Sequence, residues 1–224
     1  MQAKKTYFQE NLKFWEALTE SQKALLNQSL VKRHFDKGEA MRSGSENCSG
    51  LLLLEKGQVR AYIVSENGRE ITLYRLFERD VCIFSASCIM KNINFDIFIE
   101  IEKETDAYII PAPIFEKLSQ ESLAVQAFTN ELMAMRFSEV MWILEQTLFM
   151  TLDKRLAIFL LEQANIEGSD SIAITHEKIA NHLGTAREVI TRMLKYFQNE
   201  GLVSLNRGII RLTDRKKLEQ LTIC

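Results

Sequence analysis

Two short helices separated by a very short turn are predicted within residues 175–203, THEKIANHLGTAREVITRMLKYFQNEGLV. Thr175 is a residue type that caps a helix N-terminus, and Gly184 suits the left-handed conformation that ends a helix. Thr185 opens the second helix, and Glu188 follows it at the spacing of a capping box. A helix pair joined this closely favours a helix-turn-helix arrangement.

The second helix has two chemically different faces. Its apolar residues recur at helical spacing and are expected to pack inward: Ile190, Met193, Leu194 and Phe197. The polar face consists of Arg187, Glu188, Thr191, Arg192 and Lys195. An α-helix fits the major groove of DNA, where Arg binds guanine, Glu accepts from cytosine and Thr contacts a thymine methyl. The alternative is a solvated amphipathic helix in which Glu188 serves only as a cap.

A strand hairpin is predicted directly after this helix pair. Gly201 ends the second helix, and the apolar runs LVSL and IIRL flank the turn NRG. A hairpin in this position makes a winged helix. The wing would place Arg207 and Arg211 near the sugar-phosphate backbone, where contacts position a protein without reading sequence.

The charge of the chain is unevenly distributed. The 224 residues have a net charge of −2, but residues 151–224 hold 11 Lys or Arg against 9 Asp or Glu. This excess is small, so DNA binding would depend on a localised patch in a dimer. No apolar run is long enough to cross a bilayer, and MQAKKTYFQENLKF lacks the apolar core of a signal peptide. We therefore expect a cytoplasmic protein with reduced cysteines and no membrane partner.

The chain before Pro111 and Pro113 is interpreted as rich in β-strands. Residues 51–76, LLLLEKGQVRAYIVSENGREITLYRL, contain three strand candidates, with Gly57 in the first turn and Asn67-Gly68 in the second. Alternating apolar residues continue the pattern at Phe95, Ile97, Ile99 and Ile101. Many short strands predict a small sandwich or barrel.

A long helix is predicted from about Leu118 to Leu148. It has an apolar seam with steps of three or four residues, formed by Met133, Phe137, Val140, Leu144 and Leu148. One interpretation is packing against the helix's own β domain. The length of the seam favours a partner helix in a symmetric homodimer. A separate helix, LDKRLAIFLLEQA, then begins the C-terminal domain.

A β-roll, a long helix and a winged helix in this order resemble the Crp/Fnr family of bacterial transcription regulators. The resemblance is carried by the helix pair, by FDKGEAM at 35–41 and by LYRLFERDVC at 73–82. It implies an α+β fold with a cyclic-nucleotide-binding-like β-roll (jelly roll). The domains would be a sensing roll at 1–117, a dimerisation helix at 118–149 and a winged helix-turn-helix at 150–224. It also implies a homodimer in which a small signal alters the pose of the DNA-binding domains.

The DNA-reading pattern of the family maps onto the second helix of the pair. Its Arg-Glu-x-x-x-Arg pattern corresponds to Arg187, Glu188 and Arg192, and Thr191 stands where Fnr-type members have Ser or Thr. By resemblance, this helix reads palindromes of TTGA-type half-sites. The expected DNA-binding residues are Thr185, Arg187, Glu188, Thr191, Arg192, Lys195 and Arg207.

The sensor segment departs from its relatives in the residues that bind cyclic nucleotides. Phe84 stands near the family's ribose-binding Glu, and Phe95 and Asp96 stand at the Arg-Ser positions. An aspartate would repel a cyclic phosphate at close range, so cyclic AMP is not expected. The oxygen-sensing Fnr branch holds an iron–sulfur cluster with several closely spaced N-terminal cysteines. No such cluster is expected here, because the first cysteine is Cys48. No haem is expected either, since His34, the only sensor-domain histidine, is interpreted as a strand-edge residue with a satisfied ring.

Two cysteines occupy the segment where relatives bind their effector. Cys82 and Cys88 in CIFSASC are spaced more widely than usual zinc pairs. They are either two buried thiols or a redox or electrophile sensor. The phenylalanines of this segment favour an apolar small effector. The candidate effector pocket consists of Cys82, Phe84, Ser85, Ser87, Cys88 and Phe95.

These features favour a dimeric, sequence-specific DNA-binding regulator over two rival classes. An enzyme is disfavoured because the sequence contains no visible phosphate loop, nucleophile–base pair or metal-ligand cluster. A cyclic-nucleotide signalling subunit without DNA contact is disfavoured by the winged helix. The expected partners are double-stranded DNA, a second copy of the chain, a small effector and, for an activator, RNA polymerase.

Overall fold

The computed structural model describes residues 2–42, 50–83 and 96–223, and side chains from residue 7 onward except those of Met41 and Arg42. The chain forms two compact units. The first comprises residues 1–63 and 73–140, and the second comprises 64–72 and 141–224. No helix in the described ranges has the length and apolar character to cross a membrane.

The first unit begins with helices rather than strands. Helix α1 spans Gln2–Asn11, a single 3-10 turn spans Trp15–Ala17, and α2 spans Glu20–Ser29. The interpretation of everything before Pro111 as strand-rich is therefore wrong for this segment. Thr19 and Gln22 form a reciprocal capping box at the start of α2. This capping box stabilises the start of α2, a helix that the strand pattern of residues 51–76 does not predict.

The strands of the roll are β1 Val31–Phe35, β2 Ala40–Arg42, β3 Leu51–Val64, β4 Glu70–Leu76, β5 Val81–Cys82 and β6 Phe98–Ile110. Strand β6 organises the sheet: it pairs with β1, β2 and β3, all antiparallel. The sheet order is β1-β6-β3-β4, with β5 paired to β3. The predicted roll is confirmed by this topology.

Gly57 lies inside a strand and not in a turn. Two strands, β3 and β4, replace the three that were predicted for residues 51–76. The register between β3 and β6 shifts around Gly57, which has φ +114°. A Cβ atom there would lie 2.3 Å from Thr105 Oγ1. The glycine therefore permits a β-bulge, whereas Gly68 occupies the predicted hairpin turn with φ +73°.

Two helices follow the sheet where one continuous helix was predicted. Helix α3 spans Ala112–Glu121, with Pro111 at its N-cap, and α4 spans Leu123–Phe149. Ser122 between them is extended, with φ −131° and ψ 116°. The 27 residues of α4 make a rod of about 40 Å. The predicted start at Leu118 was wrong because the apolar spacing continues across this break.

The second unit is a small domain built around the predicted helix pair. Its elements are α5 Leu152–Glu167, β7 Ser171–Ile172, α6 His176–Leu183, α7 Arg187–Asn199, β8 Val203–Asn206, β9 Ile209–Leu212 and α8 Arg215–Thr222. Its three-stranded sheet has the order β7-β9-β8. The fully buried side chains of its core include Leu156, Leu160, Ile179, Ile190, Leu194, Phe197 and Leu218. The winged helix is confirmed, and β7 and α8 add to it.

Candidate nucleic-acid interface

A three-residue turn of Gly184, Thr185 and Ala186 joins α6 to α7. Thr175 caps α6 by accepting a hydrogen bond from the Lys178 backbone N–H at 3.2 Å. Gly184 ends α6 with φ +68°, a conformation that glycine adopts without a steric penalty. The local sequence therefore builds a tight helix-turn-helix with both ends of α6 satisfied.

The predicted capping box at the start of α7 is wrong. The N-cap residue is Ala186, no side chain caps the helix, and Arg187 is the first helical residue. Thr185 lies one position too early for the box. Glu188 instead lies in the first turn, where its negative charge favours the positive end of the helix dipole. Its carboxylate is free of a capping role.

The two faces of α7 separate as the sequence predicts. Ile190, Leu194 and Phe197 are fully buried in the core of the second unit. The side chains on the other face are exposed, namely those of Arg187, Glu188, Arg192 and Lys195. In the described part of the chain, none of these four forms a side-chain hydrogen bond or an ion pair. The helix thus presents charged groups whose hydrogen-bonding capacity is not used by the described residues.

An arginine from α5 ties the end of α6 in place. The guanidinium of Arg155 donates a hydrogen bond to the Leu183 carbonyl oxygen at 2.6 Å. Burial lowers the pKa of Arg155 from its usual value. This contact fixes the turn that orients α7, and sequence reasoning missed it because the two residues are 28 positions apart.

The wing and the helix pair line one open groove. The strands β8 and β9 meet at a turn that includes Arg207 and Gly208, and Gly208 has φ +73°. Arg207 and Arg187 both line the groove, as do Glu177 and His176. Arg211 is exposed on β9, but it is not among the residues that line the groove. The groove therefore carries one arginine from α7 and one from the wing.

A histidine that sequence reasoning left without a role contacts α7, the candidate recognition helix. His176 Nδ1 lies 2.9 Å from Thr191 Oγ1. The Thr191 hydroxyl in turn donates to the Arg187 carbonyl oxygen at 2.9 Å. Burial and, secondarily, the nearby Arg187 charge lower the pKa of His176. The only sequence signal was the position of this histidine at the start of α6.

The predicted effector residues lie mainly outside the described ranges. This applies to Phe84, Ser85, Ser87, Cys88 and Phe95. Cys82 is described: it is fully buried in β5, where it pairs with Leu52. The predicted strand-edge role of His34 is confirmed. Its Nδ1 lies 2.9 Å from Asp106 Oδ1, and this hydrogen bond raises the pKa of His34.

A buried arginine joins α4 to the strand that contains Cys82. Arg136 is 4% exposed, and its guanidinium donates to the Val81 carbonyl oxygen at 3.2 Å. It also pairs with Glu139 at 2.7 Å and lies 4.6 Å from the centre of the Tyr74 ring. Burial, and secondarily the neighbouring Cys82, raise the pKa of Tyr74. Sequence reasoning did not identify this cluster.

The predicted seam of α4 is divided between two surroundings. Met133 and Val140 are partly buried and pack against the core of the first unit. Three other members are exposed: Phe137 by 67%, Leu144 by 46% and Leu148 by 63%. Met141, also exposed, lies at the same helical spacing. We call Phe137, Met141, Leu144 and Leu148 the exposed stripe.

Comparison with known proteins identifies relatives of most of the chain. The profile of the Crp-like helix-turn-helix domain matches residues 154–221. A Crp/Fnr family protein of known structure from Eubacterium rectale ATCC 33656 is 54% identical, with a TM-score of 0.92, over 95% of this chain and 99% of that chain. Electron transport regulator A of Shewanella oneidensis is 26% identical over 201 residues, 85% of this chain and 78% of its own. FixK2 of Bradyrhizobium japonicum shares the fold at 18% identity, with a TM-score of 0.68, over 87% of this chain and 98% of that chain.

A β-roll, a long helix and a winged helix-turn-helix with an unpaired charged face define a class of DNA-binding transcription regulators. Within that class, the chain belongs to the Crp/Fnr family. The resemblance inferred from the residues is confirmed. The family is one of transcription regulators.

Proposed function

We propose that the protein is a homodimeric regulator that inserts α7 into the major groove at palindromes of TTGA-type half-sites. The observation that carries this proposal is the exposed face of α7, whose four charged side chains have no partner in the described part of the chain. Arg207 of the wing lines the same groove as Arg187 of this face, which supports contact of both elements with one ligand. A gel shift with palindromic and scrambled duplexes tests the proposal.

Each side chain of the interface has a distinct proposed role. Arg192 donates to guanine, and Glu188 accepts from a cytosine amine. Lys195 and Arg207 bind backbone phosphates. The Thr191 hydroxyl already donates to the Arg187 carbonyl, so its methyl group remains for contact with thymine. Thr185 belongs to the turn before α7, next to the N-terminal end of the helix, which is proposed to approach the DNA.

Replacing Arg192 by Ala should weaken binding to the palindrome by about 1–3 kcal/mol and change binding to scrambled DNA little. The reason is that a bidentate contact to a base is lost, whereas phosphate contacts are kept. Fluorescence anisotropy with both duplexes at several salt concentrations measures this difference. Equal losses on the two duplexes would show that Arg192 is only a phosphate contact.

Lys195→Ala serves as the matched control for this variant. It should weaken binding to both duplexes about equally. It should also reduce the slope of the logarithm of the binding constant against the logarithm of the salt concentration by about one. Glu188→Ala is also informative, because Glu188 does not cap α7 and its loss removes no capping hydrogen bond. Its effect should therefore depend on the sequence of the DNA.

We further propose that a small, apolar effector acts in the first unit beside β5 and α4. The proposed domains are a sensing roll at 1–117, a dimerisation segment at 118–149 that contains α4, and a DNA-binding domain at 150–224. Arg136 supports the location, because its hydrogen bond to Val81 ties α4 to the strand next to the effector segment. A ligand that binds one arrangement of α4 more tightly shifts the population of DNA-binding poses. An activator would also contact RNA polymerase.

Thiol oxidation is the competing signal, and complete burial of Cys82 disfavours it. We expect a Cys82→Ser, Cys88→Ser double variant to respond to peroxide or diamide as the wild type does. DNA affinity measured before and after oxidation tests this. A wild-type response that disappears in the variant would make the thiols the sensor. Cyclic AMP at micromolar concentration should leave the DNA affinity of both proteins unchanged, and a clear rise would contradict the assignment of the pocket.

A further inference from the structure

His176 is the first residue of α6, and the roles proposed so far do not use it. It is half-buried, it lines the groove between the helix pair and the wing, and its Nδ1 is 2.9 Å from Thr191 Oγ1. One ring thus contacts both the recognition helix and the groove. From this position His176 can contact both Thr191, which is proposed to read a base, and a DNA phosphate in the groove.

The hydrogen bonds of Thr191 determine which nitrogen of His176 carries the proton. The Thr191 hydroxyl has one hydrogen, and it is donated to the Arg187 carbonyl oxygen. With the Thr191 hydrogen on the Arg187 carbonyl, Thr191 Oγ1 accepts from His176, and this arrangement places a hydrogen on Nδ1 in both charge states. Titration then takes place at Nε2. No described residue of the protein hydrogen-bonds to Nε2.

The burial of His176 and the neighbouring Arg187 favour the neutral ring when DNA is absent. The groove contains Glu177 on α6, Arg187 on α7 and Arg207 on the wing, which gives two cations and one carboxylate. Burial lowers the pKa of His176, and the Arg187 charge lowers it further. A backbone phosphate in the groove would oppose the repulsion from Arg187 and accept a hydrogen bond from protonated Nε2.

We propose that His176 is a proton-linked phosphate contact that also positions Thr191 for base reading. The inference rests on the proposed DNA-binding function and deepens it. Nδ1–H holds the Thr191 side chain in one rotamer, and Nε2–H binds a phosphate after it takes up a proton. DNA binding and proton uptake at this ring therefore favour each other.

The direction of the pH effect follows from the two states of the ring. The pKa of His176 is below its usual value in the free protein and is raised by phosphate in the complex. Because the complex binds the proton more tightly, DNA affinity rises as the pH falls from about 8 to about 6. The rise should be about threefold to tenfold, since one unit of pKa difference corresponds to tenfold. Phosphates are sequence-independent, so palindromic and scrambled duplexes should show it alike.

The test uses the full-length protein and fluorescence anisotropy at constant ionic strength from about pH 6 to about pH 8. His176→Asn keeps an amide donor near the Nδ1 position but does not titrate, so it should retain palindrome preference and lose the pH response. His176→Ala should lose both. Thr191→Ala should keep the pH response, because Nε2 of His176 is unchanged, and should lose preference, because it removes the methyl group proposed to contact thymine. His34→Asn, which changes the exposed histidine of the first unit, is the control and should behave as the wild type.

A wild-type pH response in His176→Asn would overturn the proton-linked contact. A palindrome preference in His176→Ala equal to that of the wild type would overturn the positioning role. Failure of the proposed function is distinguishable from both results: the wild type would then show no palindrome preference at any pH. In that case the response on scrambled DNA would still test the phosphate contact of His176.

Discussion

A variant in which Phe137 and Leu144 are both replaced by Asp is expected to be monomeric. It should bind a palindromic duplex at least about a hundredfold more weakly than the wild type. Both residues belong to the exposed stripe and make no contribution to the described core. Carboxylates at a helix–helix contact would be desolvated without partners, which opposes association. A monomer also loses the second half-site, whose binding is otherwise intramolecular. Sedimentation velocity and anisotropy measure the two effects.

Val140→Glu would be a less informative test of the same interface. Val140 packs against the core of the first unit, so a charge there would also destabilise the roll. Ser138→Asp is the better control, because Ser138 is exposed beside Phe137 but lies off the exposed stripe. It should remain dimeric. A tight dimer of the Phe137 and Leu144 variant would show that the stripe is not the interface.

The helix-turn-helix could be predicted from sequence because its signals are local. The cap at Thr175, the stop at Gly184 and the apolar spacing of α7 each act within one or two helical turns. Short-range signals of this kind do not depend on the rest of the fold. The start of α7 was placed less accurately, since Thr185 and Glu188 have capping-box spacing without forming the box.

Glycine signals were ambiguous because different backbone features require the same conformation. Gly57 and Gly68 both have positive φ, yet the first lies in a bulge and the second in a hairpin turn. A bulge forms only opposite a paired strand, and that partner is β6, where Lys103 pairs with Gln58. Sequence spacing alone therefore could not distinguish one long strand from two short ones.

The apolar pattern of α4 could not assign each residue to a partner. Met133 and Val140 pack against their own unit, whereas Phe137 and Leu144 do not. All four satisfy helical spacing, and periodicity records only that a side chain is apolar. The contacts of Arg136 with Val81 and of His176 with Thr191 were equally hidden, because they join residues that are distant in sequence. Tertiary contacts of polar side chains leave no periodic trace.

Replacing Phe197 by Ala is expected to lower the stability of the second unit by about 3–5 kcal/mol. Phe197 is fully buried in the core of that unit. Its backbone carbonyl also accepts from the Leu202 N–H at 2.9 Å, which closes the end of α7 before the wing. Removing the ring leaves a cavity at the junction between the recognition helix and β8. Native-state hydrogen exchange at increasing urea concentration, followed by mass spectrometry, measures the loss separately in each unit.

The neighbouring Tyr196→Ala variant is the matched control, since Tyr196 is an aromatic residue on the same helix but is 52% exposed. Its effect on exchange should be below about 1 kcal/mol. Peptides from β6 in the first unit should keep wild-type exchange in both variants, because the two units have separate cores. DNA affinity should fall in Phe197→Ala under conditions where the second unit opens. Wild-type protection of α7 in that variant would mean that Phe197 does not anchor the recognition helix.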